Sequence, residues 1–591
     1  MKSPDRSRFL ITTRADLAAR HRDAVDVLLV TGDAYVDHPS FGTPLLGRWL
    51  EANGFSVGII AQPRWDSPED ILRLGRPRLF CGVSAGALDS MLAHYTAFRK
   101  KRSDDAYTPG GRAGARPNRA ALVYANLVRQ AFPGLPVILG GIEASLRRFV
   151  HYDFWTDALR RSLLLDAKAD AIVYGMGERA LLDIARACDG GHALAGIPGI
   201  VRLLPKQESP STDCRELPSF EAIQETPRLL IDAARMAEGQ IQAGTHALVQ
   251  TCDTRRILCE RPAEPLSTSE LDRLYDLPFT YAAHPDYHDP IPSVTMIRDS
   301  ITAVRGCGGG CSFCALALHQ GRRVRSRSAE AICREVERKR GHPGWDGTIS
   351  DIGGPTANAW NSQCTADPEQ CLRQSCYAPE ICPALKLDQQ GYLDLLRRVR
   401  NLPGVRHVRV ASGIRHDLAA RDPEFVRGLV SEFTGGQLKL APEHAVDHVL
   451  SLMRKGRFET FERFCTDFYA IGKAAGRELY VIPYVMSAFP GCTMDDMQSL
   501  SDWFSSRGWR LQQVQCFIPT PGTVASAMYF AGCDPDGNPI HVARSDAERL
   551  RQHHLLLGPG AMTEESAPPA NARPPHAGSQ SAGRRRGPRR S

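Results

Sequence analysis

The sequence predicts an α/β protein: an N-terminal Rossmann-like, doubly wound domain, then a partial (β/α)6 barrel, a short C-terminal extension and a disordered tail. Three observations carry this. Short apolar runs alternate with helical periodicity through the first part of the chain. A second series of about six βα units starts near Ser300, fewer than a complete barrel has. Beyond Gly558 both patterns stop and Pro, Ala, Ser, Gly and Arg take over.

In the first series, Val25–Val30 reads as a buried strand ending at the Gly32-Asp33 turn. The helical stretch Leu45–Asn53 stops at Gly54, and Ser56–Ala61 is the second strand. Leu79–Val83, Pro136–Leu139 and Ala171–Tyr174 are further strands, with helices expected over Arg119–Ala131 and Phe154–Ala167. Three strand ends carry glycine with polar groups: Ser84-Ala85-Gly86, Gly140-Gly141-Ile142-Glu143 and Gly175-Met176-Gly177-Glu178. Open parallel sheets bind ligands at that edge, and ordinary turns use the same residues. Residues 1–190 are read as this domain and 191–292 as a connector, Pro-, Ser- and Thr-rich near 205–227 and ending in the bridging helix Pro227–Gly244.

The second series occupies residues 293–510, with a last strand and extension over 511–557. Its strands are Ser300–Arg305, Thr348–Ile352, Val405–Ala411, Gln437–Leu440, Leu479–Ser487 and Leu511–Phe517. Its helices include Ser328–Arg340, Gly391–Asn401, Asp422–Glu432, Thr460–Ala475 and Met494–Arg507.

Bulk properties narrow the class. The 591 residues exceed a single core, and 42% apolar with 24% charged residues fits a globular chain. No apolar run approaches a bilayer span, and no signal core follows Met1, so a cytoplasmic protein with no membrane partner is expected. Of the net charge of +7, residues 561–591 hold six arginines against two glutamates, so the body is only weakly basic. The 558–591 tail is compatible with an RNA contact and with a solvated end. The 17 cysteines are an odd number, and eight lie between Cys307 and Cys382, which points to metal or redox chemistry rather than a disulfide framework.

The densest chemistry is Arg305-Gly306-Cys307-Gly308-Gly309-Gly310-Cys311-Ser312-Phe313-Cys314. Its C-x3-C-x2-C spacing offers three thiolates at the end of the first barrel strand, where barrel active sites lie. Zinc takes four ligands, often as two separated pairs, which this spacing does not match. Three thiolates hold three corners of a cubane iron–sulfur cluster and leave one iron open to a small molecule. The glycines let the backbone fold around such a group and offer amides to its sulfurs, and Phe313 is placed to shield a face.

This signature resembles that of the radical S-adenosylmethionine (SAM) superfamily. The resemblance implies a 4Fe–4S cluster on Cys307, Cys311 and Cys314, with SAM chelating the open iron, reductive cleavage of SAM and a 5′-deoxyadenosyl radical acting on substrate. It also implies a reducing electron donor such as flavodoxin or ferredoxin. Gly353-Gly354-Pro355 matches the glycine motif that meets the SAM amino group, although Pro355-Thr356 stands where an acidic residue is usual. Arg415 is then the candidate for the SAM carboxylate, Pro490 and Gly491 for flanking the adenosyl group, and Phe517 for the adenine. Four longer blocks, beginning at Gly32, Gly140, Ser350 and Gln513, make the chain similar to the YgiQ family of bacterial radical SAM proteins from about residue 8 to 557. That family supplies no substrate. The base-off cobalamin motif D-x-H-x-x-G fails here, because Asp37 and His38 are adjacent and Gly42 lies four residues on. The N-terminal domain is therefore expected to shape a substrate site.

A second group, Cys364, Cys371, Cys376 and Cys382, has gaps x6, x4 and x5 in a proline-punctuated loop. Four thiols so close suit a second iron–sulfur cluster or a zinc ion. Cys81, Cys188 and Cys465 read as ordinary core residues. The block Arg147-Arg148-Phe149-Val150-His151-Tyr152-Asp153 suits either an anionic substrate or a solvated face. A radical enzyme of unknown substrate is the leading expectation. RNA modification is its narrower form, and a non-catalytic redox-sensing iron–sulfur protein is the alternative.

Overall fold

In the N-terminal half the strands run in the order Arg215–Leu217, Leu248–Cys252, Arg255–Cys259, Ile200–Leu204, Ala171–Val173, Val137–Gly140, Phe80–Ser84, Val27–Thr31, Val57–Ala61. The last five are mutually parallel. The computed structural model describes residues 5–557 apart from 211, 343, 512 and 513. The basic tail, on which the RNA reading rested, falls outside them.

All five residues of Val27–Thr31 are buried, as a central strand covered on both faces requires. Val27 and Leu29 pack in one cluster with Leu50 of helix Gly42–Ala52 and Ile184 of helix Glu178–Asp189. Leu28 and Val30 pack in another with Tyr124 and Val128 of helix Ala120–Ala131. Successive side chains thus meet helices on opposite faces, which is the doubly wound arrangement.

Two expectations are corrected here. The 191–292 segment is no irregular connector: it adds Ile200–Leu204, Arg215–Leu217, Leu248–Cys252 and Arg255–Cys259 to the same sheet. Its central hairpin turns through Asp253 and Thr254, and Asp253 takes φ +55°, so a non-glycine residue makes the tight turn that glycine would announce. Phe154–Ala167 is not a helix. The Asp153 carboxylate accepts the backbone N–H groups of Trp155 and Thr156 at 2.9 and 3.0 Å. That turn folds a hairpin, His151–Asp153 with Ala158–Arg160, and only Leu163–Asp166 is helical.

The second half has six strand positions in three parallel ladders. Ser300–Thr302 runs parallel to Asp351–Gly353, and Thr348–Ile349 to His407–Val408. Gln437–Glu443, Tyr480–Ser487 and Val514–Cys516 form the third. Side-chain caps at Ser328, Asp388, Asp422 and Thr493 start the intervening helices.

One apolar cluster runs through both halves, from Ile11 to Leu556. Helix Leu229–Ala243 packs against Val524–Ala531. In the last helix, Asp546–Leu557, the fully buried Arg549 guanidinium donates to the carbonyls of Ala97 (3.1 Å) and Phe517 (2.5 Å), tying the C-terminus to both halves. No helix of the described residues is long and apolar enough to cross a membrane.

Candidate functional site

The strand Val304–Arg305 runs directly into the three-cysteine loop, and helix Ala315–Gln320 leaves it. The chain then returns through Arg325–Ser326, antiparallel to Val304–Arg305. The Cys307 N–H donates to the Gly321 carbonyl at 3.1 Å, which closes the loop at its base. Ser312 anchors the far side, its N–H on the Met453 carbonyl at 3.1 Å and its hydroxyl on the Leu452 carbonyl at 2.6 Å.

Donors surround the sulfurs. The Gly309 N–H donates to Cys307 Sγ at 3.4 Å, and Thr356 Oγ1 lies 3.4 Å from the same sulfur. Arg415 Nη1 is 3.8 Å from Cys311 Sγ. Burial, with Cys311 and Cys307 as neighbours, pushes the Cys314 thiol up to about 12 in the metal-free protein. Burial opposes the charge of Arg415, but Asp417 and the two sulfurs hold it protonated. Arg415 is gripped by Asp417 through Nε at 3.0 Å and through Nη2, and its guanidinium lies 5.1 Å over the Tyr377 ring.

The arrangement suits a cubane cluster. The Tyr377 hydroxyl, on a residue only 1% exposed, has no hydrogen-bond partner among the described residues. A buried orphan of this kind calls for a partner beyond the protein. A side chain at Gly310 would collide with the Gln374 carbonyl and one at Gly308 would crowd Tyr377 at 3.2 Å, so glycine there leaves room for the neighbouring cysteine loop.

The other predicted residues lie at different depths. Gly353 ends its strand against Asp351 and Ser412, and a Cβ on Gly354 would strike the Val304 carbonyl. Asp351 Oδ1 takes the N–H groups of Ala411 and Ser412 at 2.7 and 3.0 Å, holding the third strand end beside the second. Pro490 and Gly491 are buried one layer back, where Gly491 (φ +95°) packs on Leu452. Phe517 is buried with its ring 5.4 Å from Phe489, which in turn meets Phe313 at 6.1 Å. No direct contact joins Pro490, Gly491 or Phe517 to the cysteines among the interactions described.

Three residues, of which the sequence reading named Glu178 only as a polar group at a strand end, grip the flanks of the loop from the N-terminal half. Glu178 pairs with Arg305 at 2.5 Å, both buried, and Tyr275 accepts from Arg305 Nε at 3.1 Å. Ser145 Oγ lies 3.0 Å from His319 Nδ1. Burial pushes the His319 imidazole down to about 4, so it is neutral at pH 7. These partners are far apart in sequence, and only the glycine-rich strand ends beside Glu178 and Ser145 hinted at them.

Between the two halves lies a cavity of about 530 Å³, whose walls include Asp33, Ser84, Gly141, Glu178, His319 and Pro355. Thr31, Ser84 and Gly140 stand at one register, so the cavity opens at the C-terminal edge of the parallel sheet. Burial pushes the Asp33 carboxyl up to about 6 against the pull of Arg116. His38 does not offer a free ring nitrogen: Nδ1 accepts the Ser40 N–H at 3.1 Å and Nε2 lies 3.5 Å from Lys339 Nζ.

The second cysteine group folds over the first. The Cys376 N–H donates to the Gly308 carbonyl at 2.8 Å.

Comparison with known proteins places this geometry. Residues 9–300 match the family described as "Radical SAM N-terminal". The UPF0313 protein of Geobacter sulfurreducens is 50% identical over 93% of this chain and 92% of its own length. The UPF0313 protein of Thermotoga maritima is 46% identical over 93% of this chain and 98% of its own. Among solved structures, a radical S-adenosylmethionine methyltransferase, TsrM, from Kitasatospora setae with cobalamin and a 4Fe–4S cluster bound overlaps 90% of this chain and 85% of its own. That overlap is at 17% identity and TM-score 0.49, too loose to carry chemistry across.

Proposed function

The chain belongs to the UPF0313, YgiQ-type family of radical SAM proteins and is an enzyme of that class, and on that premise we propose that Cys307, Cys311 and Cys314 hold a 4Fe–4S cluster whose open iron receives SAM. The observation that carries this reading is the set of polar groups on two of the three sulfurs, Gly309 N–H and Thr356 Oγ1 at Cys307 and Arg415 Nη1 at Cys311. When bound and reduced, the cluster supplies the electron that splits SAM into methionine and a 5′-deoxyadenosyl radical, the electron coming from a reducing donor of the flavodoxin or ferredoxin kind.

The chain's own residues bind, orient and shield. Gly353, Gly354 and Pro355 present backbone carbonyls to the SAM amino group. Asp351 fixes that strand end against Ala411 and Ser412. Arg415, held in orientation by Asp417, is the cation for the SAM carboxylate. Pro490, Gly491 and Phe517 form the layer behind the adenosyl group, and Phe313 with Phe489 keeps water from the loop. The N-terminal half, residues 1–190 with the strands added from 191–292, shapes the substrate site. Its cavity is largely apolar with Asp33, Glu178 and His319 as polar points, and Pro355 joins it to Thr356 beside Cys307.

The test is anaerobic reconstitution of the full chain, followed by dithionite and SAM. The reading expects 5′-deoxyadenosine to accumulate, and Cys307→Ala, Cys311→Ala and Cys314→Ala each to stop it. A reconstituted protein that holds its cluster and never forms 5′-deoxyadenosine overturns the reading and favours the non-catalytic redox-sensing alternative.

A further inference from the structure

The segment from Cys364 to Cys382 poses a physical problem. A hairpin closes its base, with Gln363–Cys364 antiparallel to Leu385–Lys386 and the Thr365 N–H on the Ala384 carbonyl at 2.9 Å. Within it no helix or strand continues past Cys364. Much of it faces solvent, and Leu372 is 94% exposed, so there is little apolar burial to order it. Loops of this length without secondary structure are uncommon in compact domains and need a clip. Disulfides do not supply one, because all four cysteines are free.

The charges around the loop say what kind of clip fits. Arg322 is 8% exposed, and the buried Glu238 carboxylate acts on it from a distance while bonded to Arg454 at 2.9 Å. Arg322 Nη2 lies 4.0 Å from Cys376 Sγ, its Nη1 donates to the Arg373 carbonyl at 2.8 Å, and its Nε has no partner among the described residues. A buried guanidinium with an orphaned N–H needs an anion. The Cys382 N–H donates to the Cys376 carbonyl at 2.8 Å, and Leu385, which pairs with Cys364 across the hairpin, donates its N–H to the Cys382 carbonyl at 3.0 Å, so the backbone draws three of the four cysteines together. Four thiolates around an iron–sulfur core carry net negative charge, which supplies that anion.

We propose that Cys364, Cys371, Cys376 and Cys382 ligate a second, fully closed iron–sulfur cluster, with Arg322 as its buried counter-cation. With four protein thiolates it has no open iron and does not bind SAM. It stands against the first loop through the Cys376 N–H bond to Gly308 and through Tyr377, whose ring lies beneath Arg415. The inference does not depend on the reaction proposed above, because it concerns metal content and not turnover.

The full-length protein, reconstituted anaerobically with iron and sulfide, is analysed for both elements and by electron paramagnetic resonance after reduction. Wild type is expected to hold about eight irons per chain, two 4Fe–4S clusters. The Cys307→Ala/Cys311→Ala/Cys314→Ala variant keeps about half of that, with a signal that SAM does not alter. Cys371→Ser/Cys376→Ser/Cys382→Ser keeps the other half, with a signal that SAM does alter. The single variant Cys371→Ser, with far-ultraviolet circular dichroism as the folding check, guards against a collapsed triple variant and also loses iron. A first-loop triple variant that holds no iron, or holds only zinc, overturns the inference. So does a folded Cys371→Ser protein with the full wild-type iron content.

Discussion

The two cysteine loops touch, yet they are built in opposite ways. The first is short, starts on a strand and enters a helix, and is gripped at both flanks by the N-terminal half through Glu178 and Ser145. Cys307 is met by a glycine N–H and a threonine hydroxyl, and Cys311 by an arginine. The second is long, half exposed and held at its base by a single short hairpin. The difference teaches a division of labour. A site that must admit a small molecule is made rigid by the rest of the fold and left one ligand short. A site that is fully ligated needs little else, because the ligands themselves order the chain.

The comparison breaks most directly at the first loop. Cys311→Ala is expected to abolish 5′-deoxyadenosine formation, read by chromatography. Cys371→Ser leaves the SAM-responsive resonance signal in place, so the two loops separate by readout.

Removing the grip sharpens the contrast. Glu178→Gln strands the buried Arg305 charge, at a cost of about 3–5 kcal/mol. Denaturant unfolding measures that loss, and the second loop's iron content is expected to stay unchanged while the first loop's falls. Equal loss from both loops contradicts the claim that only the first is anchored from the N-terminal half.

Gly310→Ala tests the contact between the loops. The residue sits at φ +59° and its new methyl group lands on the Gln374 carbonyl. Strain of about 1–3 kcal/mol is expected from the backbone alone, with iron lost from both loops because each is pushed off the other. Gly476→Ala, at φ +62° with open space around it, is the control for strain without the collision.

The last contrast is in pH dependence. His151 and His553 are buried away from both loops, and burial pushes each down to about 4. Between about 4 and the usual 6.5 the unfolded chain binds protons that the folded one refuses, so stability present near neutrality is lost as pH falls. The slope is about 1.4 kcal/mol per pH unit for each group. Denaturant midpoints at pH 7 and pH 5 measure it, and the resonance signals of the native protein are expected not to follow.

How much of this was legible in the sequence depends on distance along the chain. The three cysteines, their glycines and the strand before them are neighbours in sequence, so spacing alone exposed them. The six strands of the second half were visible because each is an apolar run between helical patterns. Arg305 with Glu178, and His319 with Ser145, are joined only by tertiary packing, and no local pattern marks a pair so far apart. Arg322 is one arginine in a run of charged residues, and its importance comes from burial beside Cys376. The missed hairpins fail for a different reason. Asp153 and Asp253 make turns with side-chain bonds and a left-handed backbone instead of glycine, so helical periodicity over Phe154–Ala167 and polar composition near 205–227 both misled.

The central claim is that the first loop, and not the second, carries the open iron. Electron–nuclear double resonance on the reduced full-length protein with SAM isotopically labelled at its amino nitrogen tests it directly. The account predicts a hyperfine coupling from that nitrogen in wild type and in Cys371→Ser, and none in Cys311→Ala. A coupling that survives in Cys311→Ala, or vanishes in a folded Cys371→Ser protein that keeps the first cluster, would contradict it.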